Sequence, residues 1–358
     1  MTTAAPARYA KPSEIARLLS VILSGRIVIN TAFRMGYAFV PELSQGLGID
    51  LLTMGKIISV RAFAGMLAPV FGTLSDRFGR RGVMFGALTL LIACATLSFV
   101  SSSLIPFAFG FIGLGIAKVA FEPSASAYLG DRVPYERRGL VMGMSELGWA
   151  GGGLLGVPIA AHAIALWGWQ SPFALIAIAG AVALLYAGFV LPRKEIALQT
   201  QRVPARTAFA AVARHRSALL MLAVAASLFV ASDMIAIAYA TWLTQTFHID
   251  VITLGNIVAT FAVADVCGEL LSMFAVDRFG NRYRHVSALL TTAAFFGGLV
   301  AQLDYIANTT VWVGHHVPSQ VRNLTGPHAG LGRQQHDHAV AQGVSKATGV
   351  HQEIINVR

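Results

Sequence analysis

Nine long apolar segments follow one another along the chain, and each is long enough to cross a lipid bilayer as a helix. A hydrocarbon core of about 30 Å requires roughly 20 such residues. The segments do not alternate apolar and polar residues as barrel strands do, so helices are the only spanning structure left. They lie near 18–40, 51–73, 83–101, 104–128, 140–165, 171–191, 217–245, 253–275 and 286–305. The sequence therefore predicts an all-α membrane protein.

Composition agrees with this class. Charged residues make up 12% of the 358 residues, whereas a soluble domain carries about 25%. The net charge of +10 does not indicate nucleic-acid binding, because the basic residues are confined to short connections between the apolar segments. Cys94 and Cys267 lie far apart, each within an apolar segment, so we expect no disulfide framework.

Basic residues occupy every second connection, which predicts the orientation of the chain. They precede the first span and follow the second, fourth, sixth and eighth spans, for example at Arg8, Arg80, Arg137, Arg206 and Arg284. The connections near 41–50, 101–103, 166–170 and 246–250 contain no Lys or Arg. By the positive-inside rule, the N-terminus should be cytoplasmic and the protein should cross the cell (inner or plasma) membrane many times.

One stretch of sequence recurs about 200 residues downstream. "QGLGIDLLTMGKI", from Gln45, and "QTFHIDVITLGNI", from Gln245, share the pattern Q-x-x-x-I-D-x-x-T-x-G-x-I. "DRFGRR", from Asp76, then recurs as "DRFGNR", from Asp277. Both copies run from an outer loop through a helix to an inner basic turn, which indicates two parallel repeats. Six spans separate the copies, so each repeat should hold six helices.

The motif "GTLSDRFGRR", from Gly72, resembles the signature of the major facilitator superfamily in the loop after its second helix. "PYERRG", from Pro134, resembles the family's turn between helices four and five, and "GWQSPF", from Gly168, resembles the start of helix six. The resemblance implies a major facilitator-like bundle of two parallel repeats, in a drug- or solute-efflux-like branch. It further implies that the chain moves a small organic solute by alternating access.

The duplicated hexapeptide defines an expected inner-gate motif. In the family this turn latches the inner gate, with its Asp near the N-terminal end of a helix in the opposite half. From the residues alone, Gly79 permits a tight reversal and the arginines anchor the turn on the cytoplasmic side. The motif comprises Gly72, Asp76, Arg77, Gly79, Arg80 and Arg81 in the first copy, and Asp277, Arg278, Gly280 and Arg282 in the second.

Charged residues inside the spans are candidates for function, because each costs at least about 2.5–3.5 kcal/mol at the bilayer centre. In the family, helices one, four, seven and ten line the central cavity, which selects Arg26, Asn30, Arg34, Lys118, Glu122 and Asp233. Lys118 and Glu122 are either a structural pair or a proton site, and Asp233 is the best lone carboxylate for proton coupling. Outside this set, we expect Glu146 to cap or pair at the inner gate and Asp265 to pair with the nearby basic turn.

The fifth span is rich in glycine and reads "GWAGGGLLGVP" from Gly148. Gly152 and Gly156, four residues apart, allow a neighbouring helix to approach closely. The antiporter branch of the family has a Gly-rich, Pro-containing motif here, but Val157 stands before Pro158 where that motif has Gly-Pro. We therefore expect close packing, with export only slightly favoured over uptake.

Composition changes abruptly after about residue 308. All 21 Phe residues precede this point, and 309–358 hold six of the ten His residues. The predicted organisation is an N-terminal six-helix half (1–191), a cytoplasmic basic linker (192–216), a partial second half of about three helices (217–308) and a polar, disordered tail (309–358). The change suggests an altered reading frame near codon 310, with a genuine polar tail as the alternative. Its histidines lack regular ligand spacing, so no metal site is predicted.

These observations predict a monomeric, proton-coupled exporter of a small organic solute. The alternative is a truncated chain that inserts in the bilayer but does not transport. A membrane enzyme would need a convergent nucleophile and base or a metal site, and neither that spacing nor a nucleotide-binding loop occurs in the sequence. We therefore expect a carrier without a cofactor, whose partners are its substrate, protons and lipid.

Overall fold

The computed structural model describes residues 11–192 and 214–279, and the regular structure in these ranges is entirely helical. The helices are α1 (Pro12–Ala38), α2 (Val40–Leu47), α3 (Leu51–Phe63), α4 (Ala68–Phe78), α5 (Arg80–Val100), α6 (Leu104–Arg132), α7 (Tyr135–Gly151), α8 (Val157–Trp167), α9 (Ser171–Val190), α10 (Arg216–Phe247) and α11 (Val251–Phe279). A 3₁₀ turn at Ala64–Leu67 joins α3 to α4, and a π-helical turn at Gly152–Gly156 joins α7 to α8. The predicted all-α fold is confirmed.

Seven stretches of the described chain are long and apolar enough to cross a membrane. They are Pro12–Ala38, Leu51–Phe78, Arg80–Val100, Leu104–Arg132, Arg137–Trp167, Ser171–Val190 and Val251–Gly268. These coincide with the first six predicted spans and with the eighth, and α10 covers the seventh. The first connection differs from expectation, because most of 41–50 belongs to the short helix α2. The predicted ninth span, residues 193–213 of the linker and the tail 309–358 lie outside the described residues.

Proline explains where two of the spans change their helical geometry. Pro69 stands at the start of α4, directly after the 3₁₀ turn, and Pro158 stands at the start of α8, directly after the π turn. A proline has no N–H to donate to the carbonyl four residues earlier, so the regular α-helical ladder is interrupted there. Each span therefore consists of two helical segments.

Gly79 forms the tight reversal expected at the inner-gate motif. It separates α4 from α5 with φ 86° and ψ 141°. Residues with a side chain rarely adopt a positive φ, so glycine is required at this point of the chain. The tight reversal predicted at Gly79 is confirmed.

The D-x-x-T element of the repeat forms a helix cap in its second copy. The carboxylate of Asp250 accepts hydrogen bonds from the backbone N–H groups of Ile252 (3.1 Å) and Thr253 (3.2 Å) and from the Thr253 hydroxyl at the start of α11. The hydroxyl contact holds the pKa of Asp250 below its ordinary value of 3.8. In the first copy, the hydroxyl of Thr53 likewise lowers the pKa of Asp50. Local helix capping therefore accounts for the Asp and Thr of the second copy.

We expect Asp250→Ala to lower the free energy of unfolding by about 1 kcal/mol, because two N–H groups of α11 lose their acceptor. A carboxylate with a lowered pKa adds charge-dependent stability above its ordinary pKa, and this part of its contribution is lost as the pH falls below 3.8. Thermal unfolding of the purified protein at several pH values measures this. Asp250→Asn is the control, because an amide caps equally well without titrating. A difference in stability between wild type and Asp250→Asn that does not change as the pH falls below 3.8 would contradict the assignment.

Helix α1 lies at the centre of the described bundle. It packs against α6, α7, the π turn and α9, and α10 also contacts it. Helix α11 packs against α7, the π turn and α8. The π turn thus lies between the first helix and the eighth span. This arrangement brings charged residues from α1, α6, α7 and α11 together inside the membrane region.

Candidate functional site

The polar residues of α1 lie along the helix, as their spacing predicts, and two of them are almost completely buried. Arg26 is 3% exposed and Asn30 is 0% exposed. The side chain of Arg34, two turns after Arg26, is partly exposed. Buried charged and polar groups require hydrogen-bond partners. The fold must therefore supply acceptors for Arg26, and both a donor and an acceptor for the side-chain amide of Asn30.

Glu122 on α6 is the shared acceptor of this first network. Its carboxylate accepts hydrogen bonds from Arg26 Nη2 (3.4 Å), Asn30 Nδ2 (3.0 Å) and Lys118 Nζ (2.9 Å). Lys118 Nζ also donates to Oδ1, the side-chain amide oxygen of Asn30. Four of the six residues predicted for the cavity are therefore in direct contact, and they tie α1 to α6.

Arg26 extends the network to α7. Its Nη1 donates to Glu146 Oε1 (2.7 Å) and to Ser145 Oγ (3.0 Å). We expected Glu146 to cap or pair at the inner gate, but its partner is the intramembrane Arg26. The reason is the close packing of α7 on α1, which sequence spacing does not reveal. Glu146 is about half exposed, so it is the accessible carboxylate of this network.

A second ion pair connects α1 to α11. Arg34 Nη2 lies 2.6 Å from Asp265 Oδ2. We expected Asp265 to pair with the basic turn that follows it, whereas its partner is 231 residues away in sequence. Trp149 of α7 supports this pair, because the Arg34 guanidinium lies over its indole ring at 4.2 Å from the centroid. Trp149 carries no sequence signal that would have distinguished it from a lipid-facing aromatic residue.

Glycines on the fifth span make these contacts possible. A Cβ atom at Gly148 would lie 2.5 Å from the Cβ of Arg26. A Cβ atom at Gly152 would lie 2.9 Å from the backbone of Asn30 and Thr31. The expected close packing is confirmed, and its partner is the polar stretch of α1. With larger residues here, the carboxylate of Glu146 could not reach Arg26.

The charges in these two groups balance. Arg26, Arg34 and Lys118 face the carboxylates of Glu122, Glu146 and Asp265. A neutral, hydrogen-bonded set is far less costly inside a membrane than an isolated charge. The arrangement therefore places three cations and three carboxylates within the membrane-spanning helices.

Arg61 is a further buried cation that the sequence reading did not place in the site. It is 1% exposed, its Nη2 donates to the Phe33 carbonyl at 3.1 Å, and its guanidinium lies over the rings of Phe33, Tyr37 and Phe111. Gly36 and Gly115 leave room for it. A cation in the second span was the available signal, but its aromatic surroundings come from α1 and α6.

The first copy of the inner-gate motif centres on Arg80. Arg80 Nη1 lies 2.5 Å from Asp131 Oδ2 on α6 and also donates to the Ala127 carbonyl. Asp76 is well exposed and lies 3.9 Å from Arg80 Nη2. The guanidinium groups of Arg77 and Arg81 lie over neighbouring phenylalanine rings, and Gly72 lies within α4. Arg80 thus ties the turn to the end of the fourth span.

The remaining predicted site residues lie partly or wholly outside the described part of the chain. Asp233 belongs to α10, and Asp277 and Arg278 belong to α11, but their side chains are not among those described. Gly280 and Arg282 fall after the last described residue. Among residues 11–192 and 214–279, the side chains of His, Cys, Asp and Glu do not form a group of three or more suited to a metal ion.

Comparison with known proteins places these features in a family. Residues 22–232 match the sequence model of the Major Facilitator Superfamily. A 4-hydroxybenzoate transporter of Pseudomonas putida is 35% identical over 179 residues, covering 47% of this chain and 36% of that protein. An uncharacterized MFS-type transporter of Bacillus subtilis is 30% identical over 136 residues, covering 37% and 32%. The chain thus spans about a third of the length of these relatives.

Longer but more distant similarities agree with this result. A probable sugar efflux transporter of Pasteurella multocida is 25% identical over 313 residues, covering 86% of this chain and 74% of that protein. The crystal structure of a bacterial homologue of the human lysosomal transporter Spinster superimposes with a TM-score of 0.63 at 16% identity, over 76% of this chain and 64% of that one. A D-xylose–proton symporter superimposes with a TM-score of 0.57 at 17% identity, over 74% and 70%. The chain belongs to the major facilitator superfamily.

Proposed function

We propose that the protein is a secondary transporter that moves a small organic solute across the cell membrane by alternating access, coupled to protons. The observation that carries the proposal is the neutral set of three cations and three carboxylates between α1, α6, α7 and α11. Charged side chains inside a membrane are costly, and their presence there therefore indicates a function. Glu146 and Asp265 are the accessible carboxylates of the set, which suits proton exchange with water.

We also propose roles for the residues outside this set. Asp233 serves as a further proton site, because it is the lone carboxylate of the seventh span. The Asp76–Arg81 turn and its second copy, from Asp277, act as the inner gate. The contact of Arg80 with Asp131 supports the first of these turns by holding it against α6. We propose that the protein acts as a monomer and as a carrier without a cofactor.

Export is the direction that we propose. The name of the sugar efflux relative supports it, and so, slightly, does the glycine-rich fifth span. The name of the 4-hydroxybenzoate relative shows that the family also includes carriers of small organic acids. Sugars and 4-hydroxybenzoate are both small organic solutes, and these names therefore support the proposed class of substrate.

Flux measurements on the purified chain in proteoliposomes test this function. An imposed proton gradient should drive solute movement, and a solute gradient should move protons in the absence of an imposed one. Asp233→Asn should uncouple the two fluxes. Inserted, folded protein without either flux would support the second candidate, a non-transporting chain.

The proposed orientation gives a separate prediction. Arg80, Arg137 and Arg206 should lie in the cytoplasm, and Asp50 and Asp250 should lie outside, because Lys and Arg are retained on the cytoplasmic side. Single cysteines at these positions, in a chain lacking Cys94 and Cys267, can be labelled with a membrane-impermeant maleimide before and after lysis. Labelling of positions 80 and 50 from the same side would rule out the proposed topology.

A further inference from the structure

The Arg34–Asp265 pair is built differently from the network around Glu122. Glu122 accepts hydrogen bonds from three side chains, whereas the described contact of Asp265 is one hydrogen bond from Arg34 Nη2. The Asp265 side chain is 43% exposed. Arg34 Nε is buried and has no hydrogen-bond partner among the described residues. On the edge of the guanidinium that carries Nε and Nη2, only Nη2 therefore has a hydrogen-bond partner among the described residues.

The Nε–Nη2 edge of Arg34 has the geometry to bind both oxygens of a carboxylate. Nε and Nη2 of an arginine point in the same direction, and together they bind the two oxygens of a carboxylate in a fork. Asp265 uses Nη2 alone. A carboxylate that is free to orient itself can use both donors, so a small acid can replace Asp265 on Arg34 and gain one charge-assisted hydrogen bond.

Aromatic rings lie close to the Arg34 guanidinium. Arg34 lies over Trp149 at 4.2 Å, and Lys118 Nζ lies 4.8 Å from the same ring and 5.0 Å from the ring of Phe33. The Phe33 and Trp149 centroids are 6.2 Å apart. All four side chains are partly exposed. A flat aromatic ring packs well against such surfaces, while the two cations repel a cationic solute.

We infer that Arg34, Trp149, Phe33 and Lys118 form a binding site for a small aromatic monocarboxylate, whose carboxylate takes the place of Asp265. The inference rests on the proposed function and names its substrate class. The described set of charges is neutral, so a monoanion that displaces one carboxylate from Arg34 leaves Asp265 as the only unpaired charge. Asp265 is accessible to water and can remain hydrated after displacement.

Binding to the purified full chain in detergent tests this inference without requiring transport. Isothermal titration with benzoate is compared with cyclohexanecarboxylate, which has the charge but no aromatic ring, and with benzamide, which has the ring but no charge. Benzoate should bind about tenfold more tightly than either, the effect of one good interaction. Trp149→Leu should reduce benzoate binding to the level of cyclohexanecarboxylate.

Two variants separate the roles of the ion pair. Arg34→Gln should abolish benzoate binding, whereas Asp265→Asn should strengthen it by about tenfold, because the internal competitor is weakened. The strengthening cannot result from misfolding. Lys56→Gln is the control, since Lys56 is an exposed intramembrane cation outside the site, and it should bind benzoate as wild type does.

Each contrary result has a definite meaning. Weaker binding by Asp265→Asn would overturn the exchange at Arg34, and equal binding of cyclohexanecarboxylate would overturn the aromatic class. No benzoate binding by the folded wild type and by Asp265→Asn would overturn the site altogether, whatever the flux. Benzoate binding with the expected variant effects, but without flux in proteoliposomes, would uphold the site and remove only the transport proposal.

Discussion

Glu122→Gln is expected to lower the free energy of unfolding by about 1–3 kcal/mol, because three donors of a partly buried network lose their charged acceptor. Glu122 is the common acceptor of Arg26, Asn30 and Lys118. Glutamine has nearly the same size, but it lacks the charge. Its NH₂ group is a donor and cannot accept a hydrogen bond from the surrounding donors. Thermal unfolding of the detergent-solubilised protein, together with the fraction that elutes as a single species, measures the effect.

Two further variants serve as controls for the loss of the Glu122 charge. Asp76→Asn removes an exposed carboxylate 3.9 Å from its cation, so its effect should stay below about 1 kcal/mol. The double variant Lys118→Met with Glu122→Gln removes one charge of each sign and should recover part of the loss. Full stability of Glu122→Gln alone would contradict a structural pair and favour the alternative that Glu122 is a proton site that is readily neutral.

Gly152→Leu is expected to prevent the native packing of the first and fifth spans. Even the Cβ of an alanine would lie 2.9 Å from the backbone atoms of Asn30 and Thr31, which cannot rotate away as a side chain can. Overpacking of this kind typically costs about 1–3 kcal/mol, so Gly152→Ala should be measurably destabilised and Gly152→Leu more so. The separation of α7 from α1 would also break the contact of Arg26 with Glu146.

The control for this variant is Gly86→Ala in α5, where an added Cβ meets nothing within 4 Å. Alanine is a better helix former than glycine by about 1 kcal/mol, so this variant should be as stable as wild type or slightly more stable. Thermal unfolding midpoints of Gly152→Ala, Gly152→Leu and Gly86→Ala give the comparison. A Gly152→Leu protein with the wild-type midpoint would show that α1 does not depend on the close approach at this glycine.

Local pattern was sufficient for the elements and for contacts within one helix. Hydropathy placed the spans that the described residues confirm, because the bilayer fixes the length of a helix that crosses it. Gly79 was identified from its turn, and the pairing of Lys118 with Glu122 follows from a spacing of four residues. The repeat and its flanking motifs identified the family, because the family's fold consists of two similar halves that carry the same motif.

Contacts between helices were decided by the tertiary structure alone. Arg34 was assigned to the cavity because the family resemblance places helix one there, but no pattern in the sequence points to Asp265, 231 residues away. Glu146 was expected at the inner gate and instead meets Arg26. Helical periodicity defines the face on which a side chain lies, whereas its partner depends on which helices are neighbours and how closely they approach. The glycines of the fifth span set that distance, and only the folded bundle shows which charges they bring together.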